Sequence, residues 1–284
     1  MKAGREASVC HVWVCGHETE ADLVEDRIGP VEPGKYIIWT VDEHGLFPPI
    51  QKHKQKCWLT PDQIPIDWFT KFPSGAEIVR RAVAQQPHYG IAVDKRLLRR
   101  RDCEFELFRS IEEAVELPLI QKGFHTVGDF IARAQTILQR RKSRSGHSLE
   151  LHTREIFIEE GLVAGKEFTF QPMSESGKHP DFIFPSQAAY HDLNFPTDRS
   201  RMLAVKTTCK DRWRQMLNEA DRIPSKHLLT LQEGVSENQF REMTNAGVQL
   251  VVPEPLISMY PSAIRTHLMS LESFMADVRQ LTLE

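Results

Sequence analysis

Three residues in the second half of the chain have types that together suit phosphodiester hydrolysis. Asp181 stands at the mouth of the apolar segment 182–184, where a carboxylate can bind a metal ion. Lys206 ends a short apolar run, and a lysine inside a strand is costly to bury unless it is paired or used. Glu219 lies on the helix that is expected to follow the Lys206 strand. Two carboxylates suit Mg²⁺, which takes one or two of them and keeps its other positions for water and phosphate oxygens.

The spacing allows these three groups to meet. The extended chain from Lys206 to Lys210 covers roughly 13 Å, at about 3.3 Å per residue. A helix that begins at Asp211 returns roughly 12 Å by Glu219, at about 1.5 Å per residue. We therefore predict that Asp181, Lys206 and Glu219 form one catalytic site. Asp181 and Glu219 would bind the metal ion, and Lys206 would orient the attacking water or offset the charge on phosphorus.

The same arithmetic puts Lys210, Asp211 and Arg212 at the far tip of this strand–helix unit. Lysine and arginine suit the O6/N7 edge of guanine, and aspartate accepts from cytosine N4. The triplet is thus a candidate reader of G·C base pairs. The alternative is that Asp211 is a helix N-cap and the two cations are solvated.

A basic cluster precedes the α/β segment of the chain. It consists of Arg140, Arg141, Lys142 and Arg144. We expect Arg141 and Arg144 to contact DNA phosphates, although a charge run at a helix end can also be simply solvated.

Two further residues have open roles. Glu150 follows the basic cluster, either as a metal ligand or as a surface acid. Tyr190 falls between the two predicted catalytic strands. It either orients a phosphate or water, as a catalytic residue, or packs a loop.

Hydrophobic periodicity predicts the elements that must position these residues. Strands are expected at 9–15, 35–40, 167–171, 181–184, 202–207, 227–231 and 248–252. Helices are expected at 19–28, 74–86, 97–115, 126–138, 145–160, 211–223, 236–247 and 263–278. The fold class is therefore α/β, with a mixed central sheet flanked by helices, an N-terminal helical region and a small N-terminal α/β segment.

Composition excludes several classes of protein. The 284 residues carry a net charge of −3, which rules out a histone-like protein that holds nucleic acid by bulk charge. No apolar run approaches the length of a membrane span, and no secretory segment opens the chain. Five cysteines at irregular spacings predict reduced thiols in a cytoplasmic protein. A metal site made of Cys10, His11, Cys15 and His17 would fit no common zinc pattern.

Four segments carry a resemblance to a known family. They are RRKSRSGHSLE, HPDFIFPS, LAVKTTCKDRWRQMLNEADRIP and LLTLQEGVSENQFREM. They resemble the catalytic domain of EcoRII-type restriction endonucleases, and the likeness is strongest from residue 139 to 253. The resemblance implies the nuclease fold named PD-(D/E)XK, Mg²⁺ dependence and a homodimer acting on double-stranded DNA. It also implies a CCWGG or CCNGG site, cut before the first C to leave 5′ overhangs, and a cognate DNA cytosine methyltransferase in the same system.

By this resemblance, the family's catalytic aspartate, lysine and acid fall on Asp181, Lys206 and Glu219, and its base-reading triplet falls on residues 210–212. Most of the wider superfamily has an acid two residues before the lysine, where this chain has Ala204. The EcoRII type supplies that acid from the following helix instead, and by the resemblance this acid is Glu219.

The expected organisation is an N-terminal segment, 1–60, and a catalytic domain, 61–284. The EcoRII type has a full N-terminal effector domain, of which the segment resembles at most a remnant, so we expect no control by a second DNA site. Two alternative functions remain open at this stage. One is a sequence-specific DNA-binding protein with a decayed nuclease centre, and the other is a nicking or repair nuclease of the same fold.

Overall fold

A five-stranded sheet and two long helices dominate the part of the chain that the structure describes. The structure is a computed structural model and describes residues 57–209, 213–224 and 226–283. All of them belong to a compact unit that spans Gln55–Glu284. The strands predicted at 9–15 and 35–40, the helix predicted at 19–28 and the triplet at 210–212 lie outside the described residues.

Helices account for most of the described chain. They are α1 (Asp67–Thr70), α2 (Gly75–Gln85), α3 (Val93–Lys122), α4 (Val127–Glu159), α5 (Gln187–His191), α6 (Trp213–Met216), α7 (Glu237–Asn245), α8 (Glu254–Ile257), α9 (Ser262–Arg265) and α10 (Leu271–Leu283). Capping boxes open two of them: Ser74 with Glu77 opens α2, and Thr126 with Asp129 opens α4.

The helix α4 differs from the prediction, which divided it into helices at 126–138 and 145–160. The structure makes it one continuous helix. The residues between the two predicted parts are mostly arginine, lysine and glutamine, which are good helix formers. Nothing in that stretch breaks a helix, and the loss of apolar periodicity there reflects ion pairing rather than a turn.

The strands form one mixed sheet in the order β1-β2-β3-β4-β5. Their bounds are β1 (Thr169–Phe170), β2 (Phe182–Phe184), β3 (Arg201–Lys206), β4 (Lys226–Thr230) and β5 (Val248–Val251). The first three strands pair antiparallel and the last three parallel. The predicted α/β fold with a mixed sheet is therefore confirmed.

Alternation along the strands divides the core between the two faces of the sheet. Met202 and Ala204 of β3 belong to one buried cluster with Ile183 of β2. Leu203 and Val205 belong to the other cluster. By the same alternation, Lys206 falls on the face of Met202 and Ala204, and Asp181 falls on the face of Ile183.

Two predicted helices are shorter in the structure. The helix expected at 211–223 ends at Met216 and continues as turns. The helix expected at 263–278 is divided into α9 and α10, with a short β-bridge between Met269 and Val251 in the gap. In both places the apolar residues that produced a helical period pack against the sheet from irregular backbone.

The expectation of reduced thiols is wrong for one pair of cysteines. Cys57 and Cys103 form a disulfide, with their Cα atoms 5.2 Å apart and 46 residues between them in sequence. Cys209 is free and buried, and Cys10 and Cys15 lie outside the described residues. The number and spacing of cysteines could not reveal that the chain brings these two together. None of the described helices has the length and apolar character that a membrane crossing requires.

Candidate active site

Lys206 and Asp181 meet at the edge where β3 ends. The Lys206 Nζ donates to Oδ2 of Asp181 at 3.0 Å, and the Val205 amide donates to the same oxygen at 2.7 Å. The aspartate is 8% exposed. A buried carboxylate in contact with one ammonium group and one amide is held in a fixed position. The predicted pairing of these two residues in one site is what the structure has.

Glu219 approaches this pair from a turn and not from a helix. The residue is half-buried, and burial is the main cause that raises the pKa of its carboxyl to about 7. The negative charge of Asp181 raises this pKa as well, while Lys206 partly offsets it. The carboxyl of Glu219 thus lies within electrostatic range of both residues, as the chain-length argument predicts, although by a different backbone route.

Glu150 brings a third carboxyl to the same place from α4. It is buried, and Oε2 accepts from Nε2 of Gln171 at 3.0 Å and lies 3.1 Å from Nδ1 of His147. Burial raises the pKa of Glu150, and the charge of Asp181 raises it further. Of the two roles left open by the sequence, the surface acid is wrong, because this side chain lies inside the acidic cluster.

The acidic cluster, defined as Asp181, Glu219 and Glu150, supplies oxygen donors, which hard cations such as Mg²⁺ prefer. Within the described residues, no three His, Cys, Asp or Glu side chains stand close enough together to hold a metal ion. Burial is the main cause that raises the pKa values of Glu219 and Glu150, and the charge of Asp181 adds to it.

Tyr190 contacts a different set of residues. Its side chain is buried, its hydroxyl donates to Oε1 of Glu175, and the hydroxyl accepts from the Arg222 amide at 3.3 Å. Burial and the hydrogen bond to Glu175 raise the pKa of Tyr190 to about 12. The described contacts of Tyr190 therefore favour the packing role over a catalytic one.

The basic cluster on α4 is committed to carboxylates of α3. Arg141 pairs with Glu112 at 2.6 Å, and the buried Arg144 donates to Glu104 at 3.1 Å. In the same way Arg140 pairs with Glu116 at 2.7 Å. Both guanidinium groups therefore hold the two long helices together. The contacts of Arg141 and Arg144 with DNA phosphates stay a prediction.

Sequence reasoning missed two residues that support the acidic cluster. Gln171, which follows β1, adopts a positive φ of 48° and places its amide on Glu150. Lys226 opens the apolar strand β4 and is buried beside Glu219. Lys226, like Lys206, is a lysine within an apolar strand, and this pattern could have identified it from the sequence.

Comparisons with known proteins give the family of the chain and agree with the fold. The family model described as EcoRII C terminal matches residues 108–275, and the model described as Restriction endonuclease EcoRII, N-terminal, matches residues 1–43. The chain is 46% identical over 279 residues to the Type II restriction enzyme EcoRII of Escherichia coli. That match covers 98% of this chain and 67% of the relative.

Two solved structures share the fold. Metal-depleted Ecl18kI in complex with uncleaved, modified DNA matches with a TM-score of 0.62 and 16% identity, over 79% of this chain and 85% of that one. The PspGI–substrate DNA complex matches with a TM-score of 0.59 and 18% identity, over 77% of this chain and 97% of that one.

Proposed function

The chain belongs to the EcoRII family of type II restriction enzymes, and from this premise we propose that it cuts double-stranded DNA at a short CCWGG or CCNGG site with Mg²⁺ as cofactor. Cleavage before the first C of each strand leaves 5′ overhangs. The observation that carries the proposal is the contact of Lys206 with Asp181 at 3.0 Å, with the carboxyls of Glu219 and Glu150 in electrostatic range.

The residues fit a divalent metal ion by their chemistry. Asp181 and Glu219 would hold it, with Glu150 as the alternative second carboxylate, and phosphate and water would complete its coordination. A bound Mg²⁺ supplies polarisation of the scissile phosphate and a more acidic attacking water. The raised pKa values of Glu219 and Glu150, caused first by burial and then by the charge of Asp181, support this fit, because a dication would favour the ionised forms of both groups.

The protein's own groups do the positioning. The Val205 amide holds Asp181 in place from within the sheet. Lys206 brings a positive charge to the edge of the sheet, where charge develops on the phosphate oxygens in the transition state. Glu150 is oriented by Gln171 and His147. Each of these groups is set before substrate arrives, which is the form of electrostatic stabilisation that costs least reorganisation.

Recognition of the base pairs is proposed for Lys210, Asp211 and Arg212. The residues on either side of this triplet are anchored in the described part of the chain. The Cys209 amide donates to Oε1 of Gln232 at 2.6 Å, and Trp213 is buried. A triplet that follows β3 after three residues, and whose flanking residues Cys209 and Trp213 are anchored, is well suited to carry base-reading side chains.

A homodimer is proposed because two strands must be cut. An apolar stripe is exposed near the α3–α4 connection and includes Val127, Phe130, Ile131 and Leu138 of α4. Exposed apolar patches of this kind mark interaction surfaces. A second copy of the chain is the occupant we propose, since a two-fold dimer presents the same patch twice and places one active site on each DNA strand.

The remaining proposals concern organisation and context. We keep the division into an N-terminal segment, 1–60, and a catalytic domain, 61–284; the match of residues 1–43 to the family's N-terminal model supports it. We also propose action in the cytoplasm beside a cognate DNA cytosine methyltransferase, with no direct contact between the two proteins.

Sequencing of cut ends tests the proposal. The protein is incubated with Mg²⁺ and a long unmethylated DNA, and the termini are mapped. We expect 5′ overhangs that begin at CCWGG or CCNGG sites and no cutting in a chelator. Specific binding without cutting would favour the alternative of a decayed nuclease centre, and cutting of a single strand would favour a nicking enzyme.

A further inference from the structure

The turn that carries Glu219 has few of its own hydrogen bonds to define it. The helix α6 ends at Met216, and Glu219 donates its amide back to the Met216 carbonyl at 3.0 Å. The next residue, Ala220, is fully buried and has a positive φ of 51°. An alanine in the left-handed region is held there by its surroundings, because the backbone itself disfavours it.

Lys226 supplies what the turn lacks. It is 6% exposed, and its Nζ donates to the carbonyl of Glu219 and, at 3.0 Å, to the carbonyl of Ala220. A regular helix would satisfy the Glu219 carbonyl with the amide of Ile223, but that amide donates to Ala220 at 2.9 Å. The lysine thus replaces a missing backbone donor at Glu219, the residue that carries the proposed catalytic carboxyl.

The sheet fixes the position of Lys226. It is the first residue of β4 and pairs in register with Met202, while Lys206 pairs with Thr230 at the other end of the same two strands. Alternation along a strand places Lys226 and Thr230 on one face, the face of Lys206. Two lysines on one face of the sheet therefore act on Glu219. The charges of both lower the pKa of its carboxyl, and Lys226 alone of the two also donates to its backbone carbonyl in the described contacts.

A second group holds the residues after Glu219. Oε1 of Glu175 accepts from the Asp221 amide at 3.1 Å and from the hydroxyl of Tyr190, which in turn accepts from the Arg222 amide. The turn is thus fixed to β4 at residues 219 and 220, and to the Glu175–Tyr190 pair at residues 221 and 222.

We propose that Lys226 is a positioning residue for Glu219, which sets the carboxyl for metal binding by holding the carbonyls of Glu219 and Ala220. The inference rests on the proposed catalytic role of Glu219. Buried partners that orient a metal ligand commonly affect metal affinity about 10–100-fold when removed. Duplex binding without metal does not involve Lys226 and is unaffected.

The test compares Lys226→Met, which keeps the side-chain length and removes the donors, with Lys226→Arg, which restores them. Lys178→Met is the matched control, because Lys178 pairs with Asp221 of the same turn at 2.8 Å but from an exposed position. Single-turnover cleavage is measured across Mg²⁺ concentrations. Binding of Mn²⁺ to the protein on a duplex with a blocked scissile linkage is followed by the electron paramagnetic resonance of the free ion.

We expect Lys226→Met to raise the half-saturating Mg²⁺ concentration and weaken Mn²⁺ binding about tenfold or more, while Lys226→Arg recovers most of the loss and Lys178→Met stays near the wild type. Lys226→Gln keeps a polar donor on a shorter side chain that loses the ammonium group, so it should shift the Mg²⁺ response in the same direction. This second variant provides the test if Lys226→Met does not fold well enough to be purified.

Unchanged Mg²⁺ and Mn²⁺ responses in Lys226→Met, or in Lys226→Gln if Lys226→Met does not fold, would overturn the proposal. Glu219→Gln measured in parallel separates this failure from a failure of the proposed function. If only the inference about Lys226 is wrong, Glu219→Gln is inactive while the Lys226 variants respond normally to metal. If the proposed function is wrong, Glu219→Gln itself cuts at the wild-type rate.

Discussion

Lys206 donates to the oxygen of Asp181 that also accepts the Val205 amide, at 3.0 and 2.7 Å. Both described donors, which come from β3, therefore bind Oδ2 of Asp181. Asp181 would hold a metal ion while it remains in contact with Lys206. A single residue thus links the proposed catalytic lysine to the proposed metal site.

The pH dependence of cleavage should follow Glu219, whose pKa is raised to about 7 chiefly by burial. The carboxyl must lose its proton to bind a cation. At subsaturating Mg²⁺, the single-turnover rate should rise about tenfold per pH unit below pH 7 and level off above it. A rate that is flat between pH 5.5 and 7 would contradict a ligand role for Glu219.

The raised pKa of Glu219 also predicts that the stability of the folded protein falls with rising pH, over the range in which the cleavage rate rises. The folded pKa of about 7 exceeds the ordinary value of 4.5, so the folded protein binds the proton more tightly than the unfolded chain. The contribution is fully present below pH 4.5 and is lost as the pH rises through 7. Chemical unfolding without metal should show a decline of about 1–2 kcal/mol, discounted for solvent screening, and Glu219→Gln should abolish it.

Arg212 should contribute to sequence discrimination and not to general affinity. Replacement by alanine is expected to cost about 1–3 kcal/mol of preference for the cognate site at one G·C pair. Equilibrium binding to cognate and substituted duplexes at several salt concentrations measures this. Equal losses on both duplexes, with a smaller salt slope, would indicate a phosphate contact instead.

Arg144 should contribute to stability and not to DNA affinity. It is buried and paired with Glu104, which is fully buried. Arg144→Ala should lower the free energy of unfolding by about 3 kcal/mol, because a buried carboxylate loses a partner. The exposed Lys142 of the same cluster is the matched control, and Lys142→Ala should leave stability unchanged. If folded Arg144→Ala shows a smaller salt slope of DNA binding, Arg144 contacts a phosphate, as the sequence analysis predicts.

Phe130 tests the proposed dimer surface. It is 51% exposed on α4 beside Val127 and Ile131. Phe130→Lys should convert the dimer into a monomer in sedimentation velocity, because a charge would be buried at a self-complementary interface. Gln135→Lys adds the same charge at another exposed position of α4 and should remain dimeric. Dimers in Phe130→Lys at low micromolar concentration would locate the interface elsewhere.

Much of this site could be predicted because its chemistry is local in sequence. Asp181 and Lys206 are evident as polar residues at the ends of apolar strands, and the helices predicted from residues 74 and 126 begin at Gly75 and Val127. The route of Glu219 could not be predicted, since its turn is held by Lys226 from another strand. The pairing of Arg141 and Arg144 with α3 was missed for the same reason, because a charge run does not show which acids lie opposite.

The most direct test of the account is the cleavage rate of Lys206→Met on a short unmethylated duplex with one cognate site. The variant keeps the length of the side chain and removes the charge that contacts Asp181. Single-turnover cleavage with saturating Mg²⁺ should fall by at least about 10²-fold, while binding of the same duplex without metal stays within a factor of about three. A Lys206→Met protein that cuts this duplex at the wild-type rate would contradict the assignment of the active site.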